Sequence, residues 1–133
     1  MARRYYALDA ANARLQELRP LLERLRQDRD AVAEAQRELA RFRGSNGSDD
    51  HAQELQDRQA TIRELVKRMQ QTVANIDSWD ITLRDIATGL IDFPALASGR
   101  PIWLCWRLGE DDIAWWHEIN DGIAGRRALA DLE

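Results

Sequence analysis

The sequence predicts an α+β protein in which a long antiparallel two-helix hairpin, coiled-coil-like in its pattern, packs on a small antiparallel β-meander of about four strands. Three observations lead to this prediction. Apolar residues recur at helical spacing over most of residues 9–76. A short polar break rich in glycine, serine and aspartate interrupts that pattern after Phe42. From Trp79 onwards, short β-branched and aromatic runs alternate with turn residues.

Length and composition favour one folded domain. The 133 residues divide into a helical hairpin (9–76), a meander (79–120) and a loose tail (121–133). The net charge of -4 argues against a general affinity for nucleic-acid phosphates. No apolar run approaches the roughly 20 residues that cross a bilayer. With a single cysteine and no apolar signal-peptide core, we expect a cytoplasmic protein that binds neither nucleic acid nor membrane.

The two helices are predicted from their caps and breaks. Asp9 suits the start of the first helix, and Pro20 predicts a kink or a restart inside it. Gly44 suits the position after the first helix, and Ser48 or Asp49 suits the N-cap of the second. Because the connection is short and polar, the helices should lie antiparallel.

Each predicted helix carries a narrow apolar stripe. The stripes consist of Leu18, Leu25, Val32 and Leu39 in the first helix and Leu55, Ile62, Met69 and Ile76 in the second. One interpretation is that each helix simply covers the other. The alternative is that both also pack against a second copy of the chain. Long hairpins with narrow stripes leave apolar surface that a dimer would bury, so we expect a homo-oligomer, a dimer.

The C-terminal half predicts four short strands. They cover residues 79–86, 90–93, 101–108 and 113–119, and the second strand should end at Pro94, which cannot donate a ladder hydrogen bond. A further strand could lie just before the first helix, at residues 3–8. Short consecutive strands of this kind form an antiparallel meander.

A short hairpin loop at Glu110 would pair Trp106 with Trp115 and Leu104 with His117. An apolar face would then pack on the helices, carrying Ile102, Leu104, Trp106, Leu108, Ile113, Trp115, His117 and Ile119. The opposite face would carry Trp103, Cys105, Arg107, Ala114, Trp116 and Glu118. A three-residue loop would change the pairing, and this sorting would fail.

Cys105 and His117 raise the question of a metal ion. The predicted register places them on opposite faces, so they should not share one, and we expect neither a metal nor a cofactor. Cys105 is then a small buried residue. His117 is a core histidine that hydrogen-bonds Asp92 or an N-terminal tyrosine, or alternatively an acid or base with a tuned pKa.

Several charged residues need partners or a function. Asp92 lies in an apolar strand and requires a cation, for which Arg107 or Arg100 is available. Glu110 opens an acidic hairpin tip, and Arg126 follows a glycine-rich segment that could bind an anion. The candidate ligand-binding residues are therefore Asp92, Trp103, Cys105, Arg107, Glu110, Trp116, His117, Glu118 and Arg126.

No standard catalytic or nucleotide-binding motif is present in the sequence. The favoured hypothesis is a non-enzymatic interaction module that self-associates and presents its mixed sheet face to a protein partner or small ligand. The alternative is a small ligand-binding protein or an acid/base enzyme with a site on the meander. That site would use Asp92, Arg107, Glu110, His117 and Glu118. The sequence leaves open whether the protein is an enzyme.

Three sequence blocks carry a family likeness. GLIDFP at residues 89–94, LCWRLGE at 104–110 and WHE at 116–118 resemble the bacterial family known as domain of unknown function 2203. The likeness spans nearly the whole chain. It implies a cytoplasmic bacterial protein with an unassigned role, and it carries no catalytic residues over to this sequence.

Overall fold

The computed structural model describes residues 4–45 and 50–132, which form two long helices and a five-stranded antiparallel sheet. The α+β class, the helical hairpin and the meander are therefore confirmed. The strands lie in the sheet in chain order. The elements are α1 (Leu8–Arg43), α2 (His51–Ser78), β1 (Thr82–Asp85), β2 (Leu90–Ala97), β3 (Arg100–Arg107), β4 (Trp115–His117) and β5 (Arg127–Ala128), with 3-10 turns at Ile123–Gly125 and Leu129–Asp131.

The helix ends differ in detail from the prediction. Ala7 occupies the N-cap of α1, so Asp9 lies in the first turn. There its negative charge interacts favourably with the helix dipole. α1 continues through Pro20 as one helix and does not restart there. Gly44 ends α1 with a right-handed backbone conformation, at φ -82°, so it is not a left-handed cap. The predicted N-cap at Ser48 or Asp49 lies outside the described residues.

The core lies between the sheet and the N-terminal half of α1. That half buries Ala11, Leu15, Leu18 and Leu22, and the end of α2 adds Ile76. The sheet contributes Ile91, Phe93, Leu104, Trp106 and Trp116, among others. Burial of a large aliphatic side chain stabilises a fold by about 1.5–3 kcal/mol, so this layer dominates stability.

A buried ion pair joins the two helices further along the hairpin. Asp28 is 4% exposed, and its two carboxylate oxygens accept hydrogen bonds from Arg68 at 2.6 and 2.9 Å. A buried carboxylate is costly unless it is paired, so α1 and α2 are stable in the register that brings these two side chains together.

The strand boundaries correct the prediction at both ends of the meander. β1 begins at Thr82, whereas the sequence had predicted a strand from Trp79, because residues 79–80 form a turn after α2 ends at Ser78. β2 does not end at Pro94. The carbonyl of Pro94 accepts a hydrogen bond from Tyr6 N at 2.7 Å, away from β3. The backbone nitrogen and carbonyl of a strand residue point to the same side of the strand. The nitrogen of Pro94 therefore also points away from β3, and the N–H that proline lacks is not needed for the hydrogen bonds between β2 and β3.

The C-terminal residues are ordered against the sheet, so the prediction of a loose tail is wrong. β5 pairs with β4, with Trp116 opposite Arg127. The Leu129 N–H donates to the Ala114 carbonyl at 2.9 Å. The segment therefore extends the sheet by one strand.

The pairing of β4 with β3 is shifted by one residue from the prediction. Trp103 lies opposite His117, Leu104 opposite Trp116, and Cys105 opposite Trp115. Residues 108–114 form a longer connection than a tight hairpin. As expected for a one-residue shift, every β4 side chain changes face. Trp116 therefore packs in the core and His117 lies on the outer face, the reverse of the predicted sorting.

Neither helix in the described part of the chain is both long and apolar enough to cross a membrane. Charged side chains interrupt each of them.

Gly89 lies in the β1–β2 turn, which closely approaches the side chain of Leu108 just after β3. A substitution at Gly89 tests this close approach. Gly89 has φ +65°, and an added Cβ would lie 2.6 Å from Leu108 Cγ and Cδ1. We expect Gly89→Ala to lower the free energy of unfolding by about 2–4 kcal/mol, the sum of left-handed strain and overpacking. Gly99→Ala is the control, since Gly99 has φ +79° with open space around it. It should cost only about 1–2 kcal/mol. Equal losses in urea denaturation would contradict the steric contribution.

Candidate functional site

The outer face of the sheet buries a polar cluster. Asp92 of β2, Cys105 of β3 and His117 of β4 lie on three adjacent strands, and each is 1% exposed. One oxygen, sulfur or nitrogen atom from each side chain lies within 4.8 Å of the others. The prediction that Cys105 and His117 lie on opposite faces is therefore wrong, because it depended on the incorrect β4 register.

Both nitrogens of the His117 ring are engaged. Nδ1 lies 2.8 Å from the carbonyl oxygen of Glu118, which can only accept, so Nδ1 carries a proton. Nε2 lies 3.0 Å from Oδ2 of Asp92. Asp92 is therefore the observed partner, rather than a tyrosine of the N-terminal segment. The hydroxyl of Tyr6 donates to the carbonyl of Trp79 at 2.6 Å.

The cation beside Asp92 is Arg84, whereas the sequence predicted Arg107 or Arg100. Arg84 Nε donates to Oδ2 of Asp92 at 2.8 Å. The pairing of β1 with β2 is irregular between Leu83 and Asp85, and this bulge contains Arg84. The other oxygen of the carboxylate, Oδ1, is buried and accepts no hydrogen bond from a nitrogen or hydroxyl group of the described residues, while the weakly donating thiol of Cys105 interacts with the carboxylate.

Cys105 is a protonated thiol at neutral pH. Burial raises its pKa to about 11, and the negative charge of Asp92 adds to the effect, while Arg126 opposes it. Since both ring nitrogens of His117 already have partners, neither is available to deprotonate the thiol. The cluster therefore does not have the arrangement of a thiol activated by a neighbouring base.

Arg126 fastens the C-terminal segment over this face. It donates to both oxygens of Glu110, at 2.6 and 2.9 Å, and to the carbonyl of Cys105 at 3.3 Å. Glu110 also accepts a hydrogen bond from the backbone N–H of Arg107 at 2.8 Å. Burial alone would raise the pKa of Glu110, but the hydrogen bonds and charge of Arg126 outweigh it and lower that pKa. Arg126 is therefore engaged within the fold.

A cavity of about 330 Å³ opens beside the cluster. Asp92, Cys105 and His117 line one side of it, together with Arg84. The other side consists of residues 119–123, which connect β4 to the first 3-10 turn. This space would admit water or a small ligand to the cluster.

The remaining candidate residues are dispersed. Trp103 is buried on the outer face, with Arg84 5.0 Å above its ring. Trp116 is 4% exposed and packs in the core on the opposite face. Glu118 forms an ion pair with Arg100, and Arg107 does not line the cavity. The five residues of the predicted acid/base site therefore do not converge, although Asp92 and His117 do.

Two contributors were missed at the sequence level. Arg84 lies in a run that reads as an ordinary alternating strand, and residues 119–123 fall at the boundary of the predicted tail. The signal for Arg84 was the need of Asp92 for a cation, combined with the tight β1–β2 turn. That turn brings a basic residue eight positions earlier in the chain alongside the carboxylate.

The fold and the cluster together define an α+β protein with a helical hairpin on one face of its sheet and a buried Asp–Cys–His site on the other. The family model described as "Uncharacterized conserved protein (DUF2203)" matches residues 4–129, and the chain belongs to that family. The resemblance found in the sequence blocks is thus confirmed. No curated protein and no solved structure compared with the chain matches it.

The raised pKa of Cys105 gives a test of the cluster in solution. At pH 8 the folded protein should react with iodoacetamide at least about 100-fold more slowly than the urea-unfolded chain, since the thiolate is the nucleophile. The thiol pKa is about 11 in the folded protein, against an ordinary value of 9.0. The contribution of the buried, protonated thiol to the free energy of unfolding is therefore fully present below pH 9 and is lost as the pH rises towards 11. Similar alkylation rates for the two states would contradict this burial.

The Glu110–Arg126 pair predicts how firmly the C-terminal segment is held. Glu110→Gln should lower the free energy of unfolding at pH 7 by about 1–3 kcal/mol, because Arg126 loses its charged partner. Because the pKa of Glu110 is lowered, this contribution is present above pH 4.5 and disappears as the pH falls further. Urea denaturation at pH 7 and pH 3 checks both statements.

Glu118→Gln is the matched control for this measurement. It breaks the more exposed pair with Arg100, and it should cost less than about 1 kcal/mol. A loss in the Glu118→Gln variant as large as that in Glu110→Gln would show that Arg126 does not fasten the segment.

Proposed function

We propose that this chain is a non-enzymatic interaction module of the bacterial cytoplasm that self-associates as a dimer. One observation carries the proposal: an apolar groove of about 650 Å³ lies between the hairpin and the edge of the sheet. A free, buried cysteine suits the reducing compartment. The apolar side chains that line the groove are Val32, Val66, Met69, Val73, Ala74, Ile76, Ile81, Leu83 and Ile86.

The groove exists because the hairpin is longer than the sheet beneath it. The helix side chains that bury most fully against the sheet come from the first half of α1 and the end of α2. Further along, the stripes cover each other only in part, and Val66 remains 36% exposed. β1 is an edge strand of the sheet, and Leu83 from β1 lies in the groove. Contiguous apolar surface of this kind marks an interaction site.

A second copy of the chain fits the groove by charge. Arg29 of α1 and Asp77 of α2 both line it. Within the described residues, the Asp77 carboxylate has no ion pair. Arg29 has an exposed ion pair with Asp30 at 3.5 Å, and, after the hydrogen bonds from Thr88, its charge also contributes to lowering the pKa of Asp85 in β1. The proposed two-fold contact places Arg29 of each protomer opposite Asp77 of its partner, which would make the groove self-complementary.

The first test places a charge in the groove. We expect the wild-type chain to sediment as a dimer at micromolar concentration and Val66→Glu to sediment as a monomer. Each dimer would bury two unpaired carboxylates, which should weaken association at least about 100-fold. Gln71→Glu is the control, since it adds the same charge on α2 outside the groove lining. A wild-type monomer, or equal weakening by both variants, would refute the proposal.

The second test identifies the occupant as a second copy. Arg29→Asp and Asp77→Arg should each weaken self-association, because each creates two like-charge contacts per dimer. Mixing the two variants should restore association, since both contacts in the heterodimer are then oppositely charged. A mixture that stays as weak as its components would show that these residues do not face each other. Binding of an unrelated protein that survives Val66→Glu would likewise place the interaction elsewhere.

A further inference from the structure

We infer that Asp92, Cys105 and His117 form a binding site for one divalent transition-metal ion, with zinc as the best match. The site lies on the outer face of the sheet, away from the apolar groove between hairpin and sheet edge. It is separate from the proposed dimer contact and does not depend on it.

The geometry is close to what a metal requires. The three donor atoms already lie within 4.8 Å of one another. Ligands that are 2.0–2.3 Å from a tetrahedral zinc ion are about 3.3–3.8 Å apart, so a small inward movement of the side chains completes the set. The donors project from adjacent strands, whose backbone hydrogen bonds hold them at fixed spacing. Sites on such elements are better defined than sites on loops.

His117 has the surroundings of a metal ligand. Metal-binding histidines usually donate the second ring N–H to a backbone carbonyl or carboxylate, which fixes the tautomer and orients the ring. Nδ1 of His117 meets the carbonyl of Glu118 in this way, which leaves Nε2 directed at the cluster.

Asp92 supplies the second, independent observation. Its side chain is 2% exposed, and Arg84 holds Oδ2, whereas Oδ1 accepts no hydrogen bond from a nitrogen or hydroxyl group of the described residues and has only the weakly donating Cys105 thiol near the carboxylate. A buried oxygen that makes no hydrogen bond costs about 1–3 kcal/mol, more when it is charged. A metal ion bound to Oδ1 removes that cost while Arg84 keeps the carboxylate oriented.

The donor chemistry selects the ion. A thiolate and an imidazole exclude magnesium and calcium, and together with a carboxylate they match zinc and neighbouring first-row ions. Ligation requires a thiolate and an Nε2 atom that carries no proton, so metal binding releases protons to solvent. Thiolate and carboxylate then neutralise the ion. Arg84 adds a positive charge that is partly screened, since its side chain is 42% exposed.

All three donor residues line the cavity of about 330 Å³, so a fourth coordination position would open towards that cavity. Structural zinc sites have four protein ligands, whereas sites with three protein ligands keep the fourth position for water or a ligand. The arrangement therefore assigns the cavity to a metal-bound water molecule or to a small anionic ligand.

Cobalt and zinc titrations of the purified protein test the inference. Cobalt should bind at one ion per chain and give the near-ultraviolet charge-transfer band of a thiolate ligand. Zinc at about 100 times its dissociation constant should raise Tm by roughly 10 °C. The Val66→Glu variant should bind cobalt equally, so failure of the dimer proposal and failure of this inference are distinguishable.

Variants locate the ion. His117→Gln should weaken cobalt binding at least about 10-fold, and Cys105→Ser should abolish the charge-transfer band. His51→Gln is the matched control, because the chain has 2 histidines and His51 lies on α2, stacked on Phe42. A band that persists in Cys105→Ser, or equal losses in the two histidine variants, would overturn the assignment.

X-ray absorption of the zinc-loaded wild-type protein provides a test that needs no variant to fold. The expected spectrum contains one sulfur ligand at about 2.3 Å and nitrogen or oxygen ligands at about 2.0–2.2 Å. A zinc coordination shell without sulfur would overturn the inference, since Cys105 is the single cysteine. Failure to bind either ion at millimolar concentration would do the same.

Discussion

The register of β4 against β3 is the constraint on which the rest of the structure depends. With Leu104 opposite Trp116, the indole enters the core beneath the helices and His117 turns to the outer face. A one-residue slip would exchange the two and place an imidazole in the apolar layer. Contacts outside the strand pair hold the register, since the Ile113 N–H donates to Asn12 of α1 at 2.8 Å. The helix thus fixes the face that each β4 side chain occupies.

Most of the fold could be predicted because its signals are local. The helical spacing of apolar residues and their alternation along strands are properties of short segments. These two patterns correctly predicted the helical hairpin and the meander. The β4 register could not be predicted in this way. The run from Ile113 to His117 is apolar on both alternate sets of positions, so alternation does not distinguish its faces. The deciding contacts lie in residues 108–114 and in α1, far from β4 in the sequence.

The candidate site was recognised residue by residue but not as a unit. Asp92, Cys105 and His117 each stood out by type, yet their convergence depends on the register. The tail was predicted to be loose, and Arg126 was predicted to bind an anion together with the glycine-rich segment before it. In the fold, Arg126 meets Glu110 and the Cys105 carbonyl. Arg84 escaped notice because the cation for Asp92 was sought at Arg100 and Arg107, whereas the β1–β2 turn, with the bulge at Arg84, brings Arg84 to the carboxylate.

The two buried carboxylates of the described chain differ in a way that bears on function. Asp28 is satisfied at both oxygens by Arg68, so a structural role in helix register accounts for it. Asp92 leaves one oxygen unpaired beside a thiol and an imidazole. Well-packed apolar residues of similar volume are often at least as stable as a buried polar set, so the fold gains little from this arrangement. The difference between them is one of satisfaction: the pairing of Asp28 is complete without a ligand, whereas Asp92 has an oxygen that the proposed ion would satisfy.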